Sequence, residues 1–267
     1  KSIKPDIILT TATAFGAIGP YAERVGLDSV AQAMCGNMYL SGDGDHPMKS
    51  YSPWVDYGTA SNAAFGTLAA LIHRNNTGEG QEVQGALLAT ALTVTNSALI
   101  EQQVLQTNRV ATGNRGQMAA PSDTFETTDG RIFVTSAGQL HFERWVDLMR
   151  EDGGDEDHWL TDPRFKDDIS RGENALEISG RMQNWCVRRT TREALDKLAA
   201  ARIPAASVFS PQETLNDAHV QEAGMLTPSD YPGVPSAMPL ASTPVRLTGT
   251  PGEIRHRAPQ LGEIGRA

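Results

Sequence analysis

The sequence predicts an α/β fold, because short apolar runs of strand length alternate with longer segments of helical periodicity. Residues 7–10 have the length and composition of a buried strand, and residues 81–85 are predicted to form a short strand. A helix is predicted to begin just after Asp56 and to end before the turn-forming residues 75–78, and a second helix is predicted at residues 86–106. This βαβ-like alternation indicates an open α/β sheet.

Apolar spacing and turn residues predict the remaining elements. Alternation on both sides of the turn TTDGR predicts a hairpin at residues 123–137. The acidic run at residues 151–157 is predicted to be a solvated loop rather than a metal site, and Arg188 and Arg189 an exposed pair, because charged groups usually stay in water. The other predicted elements are helices at residues 25–38, 142–149, 173–189 and 192–201, a strand with a short helix from residue 203, and a strand near residues 241–247.

Composition and charge exclude several functional classes. Of the 267 residues, 39% are hydrophobic and 21% charged, which fits a soluble globular protein of one large or two small domains. The formal net charge of -9 argues against nucleic acids and anionic membrane surfaces as partners. No apolar run is long enough to cross a bilayer, and no secretory signal is visible. Cys35 and Cys186 lack metal-ligand spacing, so we expect both to be reduced and buried, as in a cytoplasmic protein without a metal.

Asp56 is the main candidate for chemistry. It precedes a helix rich in small residues, where unpaired backbone N–H groups and the helix dipole favour negative charge. Its plain interpretation is a helix N-cap. Trp54 and Tyr57 would flank the carboxylate, however, while Gly58 and Ala60 would leave room beside it. A carboxylate kept ionised under aromatic walls is suited to attack an acyl carbon, so both interpretations stay open.

Several motifs in a fixed order carry a resemblance to a known family. Asp-Tyr-Gly at residues 56–58 is followed by GTLAALIHR and TGEGQEVQGALLATAL. The upstream motif is KPDIILTTATAFGAIGPYAERVGLDSVAQAMCG, and the downstream motifs are GNRGQMAAPSDTFETTDGRIFVTSAGQ, DPRF, ARIPAASV and APQLGE. Over nearly its whole length the chain resembles the family III CoA-transferases, which include formyl-CoA transferase, carnitine CoA-transferases and, as a divergent branch, 2-methylacyl-CoA racemase.

The resemblance implies a fold and an assembly. It implies an open Rossmann-like large domain, made of residues 1–112 and 206–267, and a small α+β domain at residues 113–205. It also implies an interlocked homodimer, in which each chain passes through a ring made by the other. Family members usually carry an N-terminal segment that this chain lacks. We therefore expect the strand at residues 7–10 to have one unpaired side, and the chain alone to be poorly soluble and to bind CoA weakly.

The resemblance also assigns site residues. It makes Asp56 the catalytic nucleophile. Backbone N–H groups of Gly116 and Gln117 are expected to stabilise an oxyanion. The residues themselves allow plainer interpretations, because Asp28 would serve as a helix cap and a single glycine loop is usually a turn. The expected CoA and substrate contacts are Val25, Gly26, Leu27, Asp28, Asn114, Arg115, Gly116 and Gln117.

The implied reaction is transfer of CoA from an acyl-CoA thioester to a carboxylic acid through covalent aspartyl intermediates. The CoA thioester would be a substrate, with no permanently bound cofactor and no metal. A first alternative is a racemase or isomerase, which needs two proton-handling groups. Racemase members have His at the position of Leu27 and tend to have Glu at that of Gln139, so this chain departs from that branch twice. A second alternative is a non-catalytic acyl-CoA-binding fragment.

Overall fold

The structure is a computed structural model that describes residues 4–153 and 156–265. It has the predicted α/β fold, and the chain divides into two compact units, residues 1–205 and residues 206–267. The first part of unit one contains β1 (Leu9–Thr13), α1 (Asp28–Met34), α2 (Asn37–Leu40), β2 (Gly42–Gly44), β3 (His46–Pro47), α3 (Trp54–Thr77), β4 (Glu82–Ala86), α4 (Leu87–Leu105) and β5 (Ala111–Thr112).

Strands β1 and β4 form a parallel pair, which fits the open α/β sheet that the alternation predicts. Their register runs from Leu9 opposite Glu82 to Thr13 opposite Ala86. In the described part of the chain β4 is the only strand paired with β1, and the expectation of one unpaired side stays a prediction for the whole protein.

Helix α3 runs antiparallel to β4 and packs closely on it. A β-carbon on Gly85, near the carboxyl end of the strand, would lie 3.2 Å from Cγ2 of Thr59. Gly66 lies about two helical turns after Thr59. A β-carbon on Gly66 would lie 2.8 Å from Cγ1 of Val83. These glycines allow the helix backbone to approach the sheet. The start of α3 therefore lies at the carboxyl end of the strands.

The second part of unit one is built on a hairpin covered by helices. The predicted hairpin is confirmed, with β6 and β7 paired antiparallel from Ser122 opposite Thr135 to Glu126 opposite Arg131. The elements are β6 (Ser122–Glu126), β7 (Arg131–Thr135), α5 (Gln139–Arg150), α6 (His158–Thr161), a 3-10 turn (Pro163–Phe165), α7 (Asp168–Glu173), α8 (Ala175–Cys186), α9 (Thr191–Ala200) and β8 (Ala205–Ser207).

The second unit is small and loosely packed. It contains α10 (Pro211–Asn216), α11 (Ala218–Glu222), β9 (Leu226–Ser229) and β10 (Met238–Ala241). Strands β9 and β10 pair antiparallel, and the N-terminus of α10 has a capping box made by Ser210 and Glu213. The strand predicted near residues 241–247 therefore ends earlier than expected.

Two hydrophobic clusters hold unit one together. The larger lies within residues 120–203 and contains Phe125, Phe142, Trp145 and Trp185. The smaller joins α1, α3 and α4 through Ala31, Cys35, Val55 and Ala91. Both cysteines are buried and unpaired, as predicted. The predicted domain boundary after residue 112 stays a prediction.

The acidic run at residues 151–157 differs from its prediction. Asp152 forms an ion pair with Arg189, whose side chain is 13% exposed, and this hydrogen bond holds the pKa of Asp152 below its ordinary value. Glu156 is buried and accepts hydrogen bonds from Trp159 and Arg181. The prediction of a solvated loop is therefore wrong for Asp152 and Glu156, and that of an exposed pair is wrong for Arg189, because half-buried arginines pair with these carboxylates.

The prediction for the same run also covered Gly154 and Asp155, which lie outside the described residues.

Two helix predictions need correction. The helix predicted at residues 25–38 is shorter, because the left-handed backbone of Gly36, with φ of 87°, separates α1 from α2. The helix predicted at residues 173–189 is divided at Asn174 into α7 and α8.

Candidate active site

Asp56 lies at the sheet edge where open α/β folds bind ligands. It precedes Thr59 by three residues, and Thr59 contacts Gly85 close to the carboxyl end of β4. Because α3 runs antiparallel to the strand, Asp56 lies beyond that end. Ligands of open parallel sheets bind outside the carboxyl ends of the strands.

Helix α3 begins earlier than the sequence predicts. Its first residue is Trp54, and its N-cap is Pro53, which provides no side-chain hydrogen bond. Asp56 is thus the third residue of the helix, and its interpretation as the N-cap is wrong. A carboxylate in the first turn still interacts favourably with the helix dipole.

The N-terminus of α3 is capped by a residue from another helix. Oδ2 of Asp28 accepts hydrogen bonds from the N–H of Val55 at 2.7 Å and from the N–H of Asp56 at 3.1 Å. The N–H of Trp54 donates to the carbonyl of Ser52 at 2.9 Å. The first-turn N–H groups expected to be unpaired therefore have partners.

A buried glutamine completes this arrangement. The side-chain N–H of Gln32 donates to Oδ1 of Asp28, and its Oε1 accepts from the N–H of Ser50 at 3.0 Å. Asp28 is 8% exposed and Gln32 is fully buried. The expectation that Asp28 caps its own helix is wrong, since the N-cap of α1 is Leu27 and Asp28 turns towards α3. Sequence reasoning missed Gln32, although its spacing of four residues from Asp28 places both on one helix face.

The Asp56 side chain is exposed and free of internal bonds. In the described part of the chain no group hydrogen bonds to its carboxylate, and Tyr57 beside it is 72% exposed. Gly58 does not provide room for a ligand, because a β-carbon there would lie 3.1 Å from Cγ2 of Thr90 in α4. Its small size serves helix packing, which corrects that part of the prediction.

The segment of Val25, Gly26 and Leu27 leads directly into α1 and Asp28. Val25 is 96% exposed and Leu27 is 73% exposed. Gly26 packs on the loop after β1, where its β-carbon would lie 2.8 Å from Cβ of Ala14. Through the hydrogen bonds of Asp28, the structure brings this exposed segment together with the start of α3. The predicted CoA contacts of these residues stay predictions.

The glycine loop, residues 113–117, is held by hydrogen bonds to β6. Gly113 has φ of 66°, a conformation that favours glycine. Asn114 donates from Nδ2 to Oγ1 of Thr124 at 3.3 Å. The N–H of Gly116 donates to the carbonyl of Ser122 at 2.6 Å. That N–H is occupied in this loop conformation, and the predicted oxyanion role of Gly116 stays a prediction.

Arg115 and Gln117 face a small cavity on this loop. Gln117 donates from Nε2 to the carbonyl of Val110 at 2.7 Å. Arg115 is half-buried and lines a cavity of about 200 Å³ with Gly116, Gln117 and Gly172. Among the described residues no hydrogen bond joins the loop to Asp56. Their roles as substrate contacts stay predictions.

Comparison with known proteins decides the family. The protein-family model described as CoA-transferase family III matches residues 1–264 of the sequence. The chain belongs to CoA-transferase family III. It is 28% identical to succinyl-CoA--D-citramalate CoA-transferase of Chloroflexus aurantiacus over 99% of this chain and 65% of that protein. It is 30% identical to succinyl-CoA:mesaconate CoA-transferase of Haloarcula marismortui over 97% of this chain and 65% of that protein.

A solved structure shares the fold. The crystal structure of a CAIB/BAIF family protein from Brucella suis is 27% identical, with a TM-score of 0.78 over 99% of this chain and 67% of that one. The chain spans about 65% of the length of the two named transferases.

Leu27 and Gln139 are the two positions at which the sequence departs from the racemase branch. Leu27 is the exposed N-cap of α1. Gln139 accepts a hydrogen bond from Arg171, which is 2% exposed, and donates to Glu143 at 2.9 Å. Nearby His141 contacts the carbonyl of Ala137 through Nδ1 at 2.7 Å.

Neither a metal cluster nor a spanning helix is found in the described ranges. Residues 4–153 and 156–265 contain no group of three or more His, Cys, Asp or Glu side chains that would hold a metal ion. No helix in those ranges is both long and apolar enough to cross a membrane.

Proposed function

We propose that this protein transfers CoA from an acyl-CoA thioester to a carboxylic acid, with Asp56 as the covalent nucleophile. The observation that carries the proposal is the state of Asp56. Its backbone N–H is bonded to Asp28, while its exposed carboxylate has no partner in the described part of the chain. This combination suits a nucleophile, because the backbone of Asp56 is fixed in position while the lone pairs of its carboxylate are available.

The proposed exchange has four steps. A carboxylate oxygen of Asp56 attacks the thioester carbonyl, the C–S bond breaks, and CoA leaves as thiolate, so that an acyl–aspartyl anhydride forms. The thiolate attacks the aspartyl carbonyl and releases the donor acid, which leaves an aspartyl-CoA thioester. The acceptor carboxylate then displaces CoA to form a second anhydride. CoA thiolate attacks the acceptor acyl carbon and regenerates Asp56. Anhydride and thioester are close in energy, so no ATP is consumed.

Succinyl-CoA is the donor that we propose to test first, because both named relatives carry it in their names. The CoA thioester is a substrate here, and the proposal includes no resident cofactor. The buried, unpaired cysteines are typical of a reducing compartment, so a cytoplasmic location is part of the proposal.

The test is chemical trapping. The protein is incubated with succinyl-CoA, quenched with hydroxylamine or borohydride, and mapped by peptide mass spectrometry. We expect a label on Asp56 that is lost in Asp56→Asn. Asp45→Asn removes another exposed carboxylate and should keep the label. A label on a different residue would overturn the assignment, and binding of succinyl-CoA without any label would favour the non-catalytic alternative.

α-Proton transfer has less support in this chain. A racemase needs two proton-handling groups at the reacting carbon. Leu27 has no titratable group, and Gln139 is engaged by Arg171 and Glu143. Solvent deuterium appearing at the α-carbon of a 2-methylacyl-CoA as fast as transfer proceeds would reverse this preference.

We also propose that the active protein is a homodimer. Helices α3 and α4 expose large apolar side chains, and in each helix three residues are buried among those described. Exposed apolar surfaces of this extent mark sites of association. The exposed residues include Phe65, Leu68, Ile72, Val94, Ile100 and Val104. Sedimentation at nanomolar concentration should show dimer, and a compact monomer would contradict the proposal.

A further inference from the structure

We propose that Asp28 is a positioning residue that keeps the Asp56 carboxylate free to react. It does so by occupying the backbone N–H groups that Asp56 would otherwise bind. The inference rests on the proposed function of Asp56, and it gives Asp28 a role different from direct contact with CoA.

The start of α3 has no cap of its own. Its N-cap is Pro53, whose side chain has no acceptor atom. The N–H groups of Val55 and Asp56 cannot find partners within the helix, because the first four N–H groups lack intrahelical acceptors. Both donate instead to one oxygen of Asp28, at 2.7 and 3.1 Å.

Without Asp28, the nearest carboxylate in the sequence is Asp56 itself. The free N–H groups of a first helical turn attract negative charge, and an acidic side chain within that turn lies beside them. A carboxylate engaged in this way loses lone pairs and turns towards the helix axis. Asp28 removes the free donors, so the Asp56 side chain stays exposed to solvent, as the structure shows.

Asp28 is itself rigidly held. Its second oxygen accepts from the Gln32 side chain, and the other end of that amide accepts from the N–H of Ser50, in the segment that leads into α3. Asp28 therefore has three donors, which is what a buried carboxylate needs. The link fixes both the start of α3 and the segment before it against α1. A carboxylate that was bonded only to solvent would not be buried to this degree.

The test compares three variants for covalent chemistry and for local structure. Asp28→Ala removes the cap, Asp28→Asn keeps one acceptor, and Gln32→Met removes the support while keeping similar volume. The matched control is Thr95→Val, which removes a buried bond of 3.1 Å to the carbonyl of Cys35 at the other end of α1. For each, single-turnover labelling of Asp56 by succinyl-CoA, dissociation constants for CoA, and amide hydrogen exchange at residues 55 and 56 are measured.

We expect Asp56 labelling to slow at least ten-fold in Asp28→Ala and less in Asp28→Asn, with the dissociation constant for CoA within two-fold of wild type. Amide exchange at residues 55 and 56 should rise in the same order. Thr95→Val should lower the unfolding midpoint and leave the labelling rate unchanged.

Equal labelling rates in wild type and folded Asp28→Asn or Gln32→Met would overturn the positioning role while leaving the proposed function intact. A loss of CoA binding equal to the loss of rate would also overturn it, because Asp28 would then be a ligand contact. Absence of any Asp56 label in wild type would overturn the proposed function and this inference together.

Discussion

Gly172 of α7 lies against the carbonyl group of Gln117 so closely that a β-carbon on Gly172 would be 2.2 Å from that oxygen. The glycine loop is therefore seated on a helix of the second part of unit one. No flexible side chain is available to relieve the contact, since the neighbouring atoms belong to the backbone. The position of the loop depends on the absence of one methyl group.

Gly172→Ala should displace the loop and destabilise the fold. Overpacking of this kind costs about 1–3 kcal/mol, which exceeds the gain in helix propensity of about 1 kcal/mol. Urea unfolding checks the stability. The matched control is Gly180→Ala in α8, where a β-carbon would meet nothing within 4 Å, so this variant should be neutral or more stable. Equal effects of the two substitutions would contradict the assignment of the contact.

The close packing of α3 on the sheet can be tested by a double-mutant cycle. Gly66→Ala places a β-carbon 2.8 Å from Cγ1 of Val83 and should cost more than the helix propensity returns. A net loss of up to about 2 kcal/mol is expected in the free energy of unfolding. Val83→Ala should relieve the clash, so the double variant should be more stable than the sum of the single effects predicts. Strict additivity would show that the helix shifts instead.

Introducing the residues of the racemase branch, through Leu27→His and Gln139→Glu, should not create α-proton exchange. In Gln139→Glu the new carboxylate would pair with buried Arg171 and face Glu143, so it would be neither free nor well placed as a base. Adding Leu27→His, at an exposed position, should leave the fold intact. Deuterium incorporation into a 2-methylacyl-CoA is the measurement. Exchange above the wild-type background in the double variant would show that this environment permits a catalytic carboxylate.

The Cys186 thiol should be inert and should make stability depend on alkaline pH. Burial raises its pKa to about 12. In the unfolded chain a thiol ionises near a pKa of about 8.5, so its contribution is fully present below that pH and is lost as pH rises towards 12. The stability difference between wild type and Cys186→Ala should therefore shrink between pH 8 and pH 10. An Ellman titration should find two thiols only after denaturation, and a fast-reacting native thiol would contradict the burial.

Local periodicity was sufficient for the framework of the fold and for the place of Asp56. The two strands, the hairpin and the position of Asp56 near the start of a helix all follow from residue types within a few positions of one another. Helix ends were less predictable. Pro53 indicates the earlier start of α3, which apolar spacing placed after Asp56. Gly36 indicates the end of α1, although apolar spacing alone continues past it.

Contacts between distant residues could not be predicted. In the sequence Asp28 resembles an ordinary cap of its own helix. Only the packing of α1 beside α3 makes it the cap of α3 instead. Gly58 similarly suggests an open space, whereas the structure fills that side with Thr90. In both cases the partner lies about thirty residues away in sequence, beyond the reach of any local pattern.

The cap that joins Asp28 to Val55 closes a loop of 27 residues. Contacts of this separation form after the intervening chain has paid its closure entropy, so they come later in folding than the turns of α3 itself. A nascent or partly unfolded chain would thus possess the helix and Asp56 but not the arrangement that exposes the carboxylate. Under the proposed role of Asp28, this arrangement would therefore be acquired only with tertiary assembly.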